Sequence, residues 1–366
     1  MDDPAAFYGS DAGDLELGTV SVSVPATHKL GEIEEPNWYL MQFRPDPNRH
    51  IMLWDSPRPL VQTAFISALS AQIARSKRKE IFVFVHGFNT SFADAALRTA
   101  QMAYDLNIDG APMMFSWPSR GDVLSYVADR NLCGPDQIGK LTAFLTMVVR
   151  QSGAQKIDVL AHSMGNCFLT QALNQMAQNG MQNAFSEVVF AAPDYDPDDF
   201  RALIPAMRKV APRMTLYASS NDYAMMVSKE VNGRARVGDA RVRFADPSID
   251  SIDASDVLSP DEVGHSYFAG GALGDLRAVL WDDLNPPSRC VLQRLGGGGG
   301  QRWLLAPAHC DEEAFETAVL LLRQKGPAGA ATAAAQLHEA ALAEHDQLQA
   351  GLYRDVQTQL SRMTAH

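Results

Sequence analysis

Cysteine is scarce in this chain, with four in 366 residues: Cys133, Cys167, Cys290 and Cys310. Their spacing is not that of a metal site, and four thiols in so long a chain make no disulfide framework. The expectation is free thiols in a reducing compartment, with a Cys290–Cys310 bridge across a hairpin as the alternative. No apolar run reaches the ~18 residues that span a bilayer, so no integral membrane segment is expected. The N-terminus, MDDPAAFYGS, lacks the basic and apolar regions of a signal peptide. The expected compartment is the cytoplasm, or the periplasm or exterior if an export signal has been removed. Basic residues are also short, 31 against 43 acidic, for a net charge of -12. Phosphate recognition needs a basic face, so no nucleic-acid partner is expected.

What remains is ordinary globular material, 46% hydrophobic and 20% charged. That length allows one α/β domain of roughly 250 residues with additions, or two smaller domains. Residues 1–58 mix strand-like stretches such as ELGTVSVSVP with Pro, Gly and acidic residues. They read as N-terminal strands forming an antiparallel edge. Residues 59–80 have helical periodicity and a basic last turn.

A regular alternation follows. Apolar runs at 81–88, 111–119, 156–163, 187–194 and 213–220, and a weaker one at 248–255, read as strands buried on both faces. Helical segments separate them, at 91–106, at 136–153, from Gly165, at 198–210 and from Asn221. Ser91 is the expected cap of the first, and Asp198 or Asp199 of the fourth. Strand–helix alternation predicts a doubly wound, mostly parallel sheet with right-handed crossovers. Residues 1–285 form this expected catalytic domain. Residues 286–366 form an extension, with two short strands around the Gly296–Gly300 run and then helices. An apolar stripe at Leu348, Leu352, Val356 and Leu360 suits a helix packed on its own domain, or one that forms a homodimer.

Ser163 lies where the third strand of the alternation meets its helix. The pattern Ala161-His162-Ser163-Met164-Gly165 is one residue short of G-x-S-x-G, the strained turn that exposes a nucleophilic serine. Small residues are needed two before and two after it, because larger ones would strike the neighbouring strand and helix. The turn aims the Met164 N–H at the place where an oxyanion forms. The second donor is expected from the HGFNTSF loop, where Phe88 supplies its N–H.

A serine hydroxyl needs a base. Of nine histidines, His86 reads as a loop-shaping residue, and His162, beside the serine, faces away from it. His28, His50, His309, His338, His345 and His366 lie in unsuitable segments. His265, in VGHSYF, is the expected base, with Gly264 bending the backbone and Tyr267 and Phe268 pinning the turn. The order serine, acid, histidine puts the carboxylate between them. Asp222, directly after the fifth strand, is the expected acid, and Asp194 and Asp196 are its rivals.

With these residues in place, the chain resembles the α/β-hydrolase superfamily, and within it the bacterial esterase/lipase-like family known as domain of unknown function 900. The resemblance rests on FVFVHGFNTSFADAALR, FSWPSRG, Tyr126 and Asp129, DVLAHSMGN, FAAPDYD, TLYASSNDYAM and GHSYF. It covers roughly residues 15–285 and leaves the C-terminal helices aside. It implies a serine hydrolase acting on small-molecule carboxylic esters without metal or organic cofactor. The longer insertions, 117–137 and 225–262, with Phe88 and Phe92, are expected to form an open apolar acyl pocket. Phe92, Trp117 and Tyr126 are the expected substrate contacts, and short or medium acyl chains the expected substrates. A lipase or phospholipase is the second reading. An amidase, a thioesterase or a non-catalytic module acting through its C-terminal helix stands further back.

Overall fold

The structure, a computed structural model, describes residues 4–36, 42, 44–120, 125–296 and 301–364. The N-terminal strands pair among themselves. β1 (Leu17–Thr19) runs antiparallel to β4 (Arg58–Leu60), and β2 (Val22–Ser23) to β3 (Met52–Leu53). These ladders stand apart from the main sheet, which takes its antiparallel edge from the other end of the chain.

After α1 (Gln62–Arg75) the expected alternation appears. It runs β5 (Glu80–Val85), α2 (Phe92–Asp105), β6 (Ala111–Phe115), α3 (Tyr126–Asn131), α4 (Pro135–Gln151), β7 (Lys156–His162) and α5 (Gly165–Gln178). It continues through β8 (Glu187–Ala191), α6 (Pro197–Val210), β9 (Met214–Ala218), α7 (Tyr223–Asn232), β10 (Asp250–Asp253) and α8 (Leu273–Leu280). The chain closes with β11 (Leu292–Leu295), β12 (Arg302–Leu305), α9 (Glu312–Ala343) and α10 (Gln347–Thr364).

The main sheet has eight strands in the order β11-β12-β10-β9-β8-β7-β5-β6. All neighbours are parallel except β11 and β12, so the strands after residue 285 extend the same sheet. Gly297–Gly300 of the expected glycine turn lie outside the described residues.

Period two explains the core. Along β5, Val83 and Val85 enter the hydrophobic cluster on one face, while Phe82 and Phe84 enter the cluster on the other. Along β7, Val159 and Ala161 share the first face and Leu160 the second. Each large apolar side chain so buried contributes about 1.5–3 kcal/mol. α2 begins on a capping box, in which the Ser91 hydroxyl accepts from the Asp94 amide and the Asp94 carboxylate accepts in return. α6 is capped by Asp196, which accepts from the amides of Asp198 and Asp199. The expected cap at Asp198 or Asp199 is corrected, because Pro197 takes the first helical position and leaves the cap to Asp196.

α9 breaks at Gly326, whose φ is 66°, followed by Pro327. Its two parts and α10 bury a small core of their own, with Ala318, Ala330, Ala334, Val356 and Leu360. The expected stripe is therefore used inside this hairpin at Val356 and Leu360, while Leu348 is left exposed.

The expectation of free thiols is also corrected. Disulfides join Cys133 to Cys167 and Cys290 to Cys310, with Cα–Cα separations of 6.2 and 5.3 Å. The second is the bridge expected as the alternative, across the hairpin, whereas the first joins partners 34 residues apart that no local spacing announces. The argument for a reducing compartment falls with the free thiols. Among the described residues no helix is long and apolar enough to cross a membrane.

Candidate active site

β7 ends at His162, and Ser163 then takes a φ of 53°. A non-glycine residue in this left-handed region needs its surroundings to hold it there. Its amide donates to the Ala191 carbonyl at 2.9 Å, and its carbonyl accepts from the amides of Asn166 at 3.1 Å and Asp194 at 3.2 Å. The Asn166 side chain, fully buried, donates to the carbonyls of Ala161, Ser163 and Ala191 at 3.0–3.2 Å. Asn166 thus clamps strand, turn and next strand together. Sequence reasoning passed over it, because an asparagine one residue into a helix carries no signal of that duty.

The small-residue requirement has a direct measure. A Cβ on Gly165 would stand 2.4 Å from the His86 carbonyl oxygen, and one on Gly87 would stand 2.8 Å from the Ser163 Cβ. Ala161 is fully buried between its strand partners Val85 and Phe190, where a methyl group fits.

Asp222 and His265 meet across the C-terminal edge of the sheet. Asp222 Oδ2 lies 2.7 Å from His265 Nδ1, and Asp222 Oδ1 accepts from the Met225 amide at 3.0 Å, capping α7. The carboxylate is fully buried. Gly264 has a φ of 71°, and a Cβ there would stand 2.5 Å from the Asn221 carbonyl. The Tyr267 hydroxyl donates to the Tyr217 carbonyl at 3.0 Å, pinning the turn that follows. Asp261 Oδ1 accepts the His265 amide at 2.8 Å, a second support that lay unremarked in the sequence.

Burial works to lower the His265 imidazole, but the Asp222 charge and hydrogen bond, with Asp261 and Asp194 behind, outweigh it. The net direction is up. His162 goes the other way. Burial pulls it far down, and the His265 ring, 4.4 Å away between centroids, adds to the effect. Its side chain packs on Phe268, on the sheet face opposite Ala161. Among the described residues Ser163 Oγ makes no hydrogen bond, so the candidate nucleophile and the candidate base are not linked directly. Such contacts commonly tighten only around substrate.

The loop after β5 is held from three sides. His86, pulled down to about 4 by burial, is a neutral imidazole whose Nδ1–H donates to the Gly87 carbonyl at 2.8 Å. Its Nε2 accepts from the Trp117 amide at 3.1 Å. Thr90 donates its hydroxyl to the Phe88 carbonyl at 3.1 Å and its amide to Ser119, which donates in turn to the buried Asp129. Phe88 packs edge-on against Tyr126 at 5.4 Å. Among the described residues neither the Phe88 nor the Met164 amide is given to a protein acceptor.

The rival acids are committed elsewhere. Asp194 pairs with Arg236 at 3.1 Å and accepts from the Tyr126 hydroxyl at 2.7 Å and from Ser228. Asp196 is the α6 cap. The expected substrate contacts fare unevenly. Trp117 is 2% exposed, stacked on His86 at 5.0 Å and against Phe168 at 4.8 Å, with its indole N–H given to the His86 carbonyl. It is a core residue and offers no face to a substrate. Phe92 and Tyr126 are half-buried. Phe92 lies against Tyr8 and Tyr126 is tied to Asp194.

A doubly wound parallel sheet with a serine on a strained strand-to-helix turn, and an aspartate–histidine pair following in chain order, defines an α/β hydrolase. The comparison with protein families agrees. Residues 61–274, well over half of the chain, match the family described as alpha/beta hydrolase of unknown function (domain of unknown function 900), and the chain belongs to that family. No curated protein matches it. Among solved structures, it is similar to one described as the putative cell surface hydrolase from Lactobacillus plantarum WCFS1, at 12% identity and a TM-score of 0.37. That match covers 58% of this chain and 95% of the other. At that distance the likeness says nothing of this chain's chemistry.

Proposed function

We propose that the protein hydrolyses carboxylic esters through an acyl-enzyme, with Ser163 as nucleophile, His265 as base and Asp222 as its orienting acid. The observation that carries this reading is the joint occurrence of a strained Ser163 at φ 53° and a 2.7 Å Asp222–His265 bond. Backbone strain at a polar residue is kept only where the fold holds it, and such residues cluster at functional sites.

The chemistry runs in two halves. Asp222 takes the Nδ1–H of His265, which leaves Nε2 as the free acceptor. His265 Nε2 takes the Ser163 proton as Oγ attacks the ester carbonyl carbon, and the carbonyl electron pair moves onto oxygen. The N–H groups of Phe88 and Met164 stabilise that oxyanion. Collapse expels the alcohol, which leaves with the proton from His265. Water, deprotonated by the same imidazole, then attacks the acyl-enzyme and releases the acid.

Short or medium acyl chains suit the site. Between β8 and β9 the chain has one helix, α6, and no inserted cap domain. Activity on p-nitrophenyl esters should fall beyond about twelve carbons, whereas a steady rise past that length favours the lipase reading. The nucleophile itself is tested by fluorophosphonate labelling of the wild type against Ser163→Ala.

A further inference from the structure

Resting on the ester-hydrolase reading, a cavity beside the nucleophile says what else the substrate carries. It has a volume of about 210 Å³, and its polar lining includes Glu35, Gly87, Thr90, Asp94, Arg98 and His162. Gly87 joins it to the reaction centre, because the same residue lies against both the Ser163 Cβ and the His162 ring. Ser266, next to His265, closes another side, and Phe84 and Phe268 give it an apolar wall.

Arg98 is the unusual member. Burial pulls its guanidinium down to about 10, with Asp261, Asp105 and Glu35 acting against that at longer range. Among the described residues it donates one hydrogen bond, from Nη1 to Gln101 Oε1 at 2.8 Å, and makes no ion pair. Gln101 is held in turn by Asp105, which receives the buried His28. The guanidinium is therefore braced from behind, with donors left over. Arg98 is part-buried, so those donors open onto the cavity, and an occupant that covers them without accepting costs about 1–3 kcal/mol, more at a charged donor.

The occupant follows from charge and size. An anion gains Arg98 but meets Glu35 and Asp94, while a cation meets Arg98. An alkyl group leaves the guanidinium unsatisfied. A hydroxyl group accepts from Arg98 and donates to Glu35, so both ends are used. A cavity of roughly 150 Å³ holds a benzene ring, and this one is larger. We propose that the cavity receives the hydroxylated, uncharged portion of a polyol or sugar ester, with Arg98 and Glu35 as the residues that read its hydroxyls.

The test uses four butyrates that share an acyl group: the esters of glycerol, propanol, glycolate and choline. Glycerol and propanol differ only in two hydroxyls, glycolate adds a negative charge and choline a positive one. The wild-type enzyme should show kcat/KM about tenfold or more higher for the glycerol ester than for the propyl ester, with the two charged esters no better than propyl. Arg98→Met and Glu35→Gln should each bring the glycerol-to-propyl ratio toward one, a ratio read within each variant and so independent of its overall yield. Equal rates on glycerol and propyl esters in the wild type overturn the proposal, as does preference for either charged ester or a ratio unmoved in both variants. Hydrolysis of none of the four takes down the ester-hydrolase reading itself, and this inference with it.

Discussion

Asp222 uses its two carboxylate oxygens for two tasks at once. Oδ2 holds His265 Nδ1 at 2.7 Å while Oδ1 caps α7 through the Met225 amide. A helix cap and a triad acid are usually read as alternatives. Here the cap fixes the carboxylate that holds His265, so rigidity of α7 is transmitted to the proposed base.

Replacing the two candidate acids separates their roles. Asp222→Asn keeps the capping capacity, since asparagine caps as well as aspartate, but presents the wrong hydrogen-bonding partner to Nδ1. Turnover should drop on the order of 10³–10⁴-fold with little change in melting temperature. Asp194→Asn breaks a buried pair with Arg236 and should cost about 3 kcal/mol of stability, with the smaller loss of turnover. Thermal melts and ester kinetics on both variants check this.

The pH profile follows from the raised His265. The base must be neutral, so the acidic limb of kcat/KM should lie above the ordinary 6.5 of histidine, because the Asp222 charge outweighs burial. In Asp222→Asn the burial remains and that charge is gone, so the limb should move below 6.5. The same shift acts on folding. A value raised in the folded state gives stability that is fully present below the unfolded value, near 6.5, and is lost as pH rises through the folded one. A wild-type limb at or below 6.5 contradicts the account.

Gly165→Ala tests the turn. Its methyl group would meet the carbonyl oxygens of His86 at 2.4 Å and Val85 at 2.8 Å, which are backbone atoms with little room to give. Overpacking of this kind costs about 1–3 kcal/mol and displaces Ser163, so activity should be lost while the chain still folds. A crystal structure and turnover measurement on the variant check both halves.

The parts of this molecule legible in the sequence are those with a local pattern. Parallel strands show as apolar runs, so β5 to β9 lie where they were expected, but β6, at the sheet edge, is only part-buried rather than covered on both faces. The serine turn, the Gly264 bend and the position of Asp222 after a strand are likewise written in neighbouring residues. What the sequence hid are contacts between distant segments. Asn166 acts on Ala191, Asp261 on the His265 amide, and Arg98 and Glu35 line one cavity, none of which a one-dimensional pattern can pair. Trp117 misled because an aromatic in a loop near a site reads as a contact surface, whereas its indole is consumed by His86 and Phe168. The Cys133–Cys167 disulfide was missed for the same reason, whereas Cys290–Cys310, across a hairpin, was legible as the alternative to free thiols.

The Cys133–Cys167 bridge closes a loop of 34 residues and ties the segment carrying Tyr126 to the helix that follows Ser163. Loop-closure entropy of that size is worth roughly 3–4 kcal/mol. Cys133→Ser should lower the melting temperature accordingly and increase hydrogen exchange across 125–134. An unchanged melting temperature counts against the bridge as a stabilising element.

The nucleophile is most directly tested by labelling the wild-type protein and Ser163→Ala with a fluorophosphonate probe, followed by peptide mapping of the adduct. The account predicts a stoichiometric adduct on Ser163 in the wild type and none in the variant. An unlabelled wild type, or labelling that persists in Ser163→Ala, contradicts it.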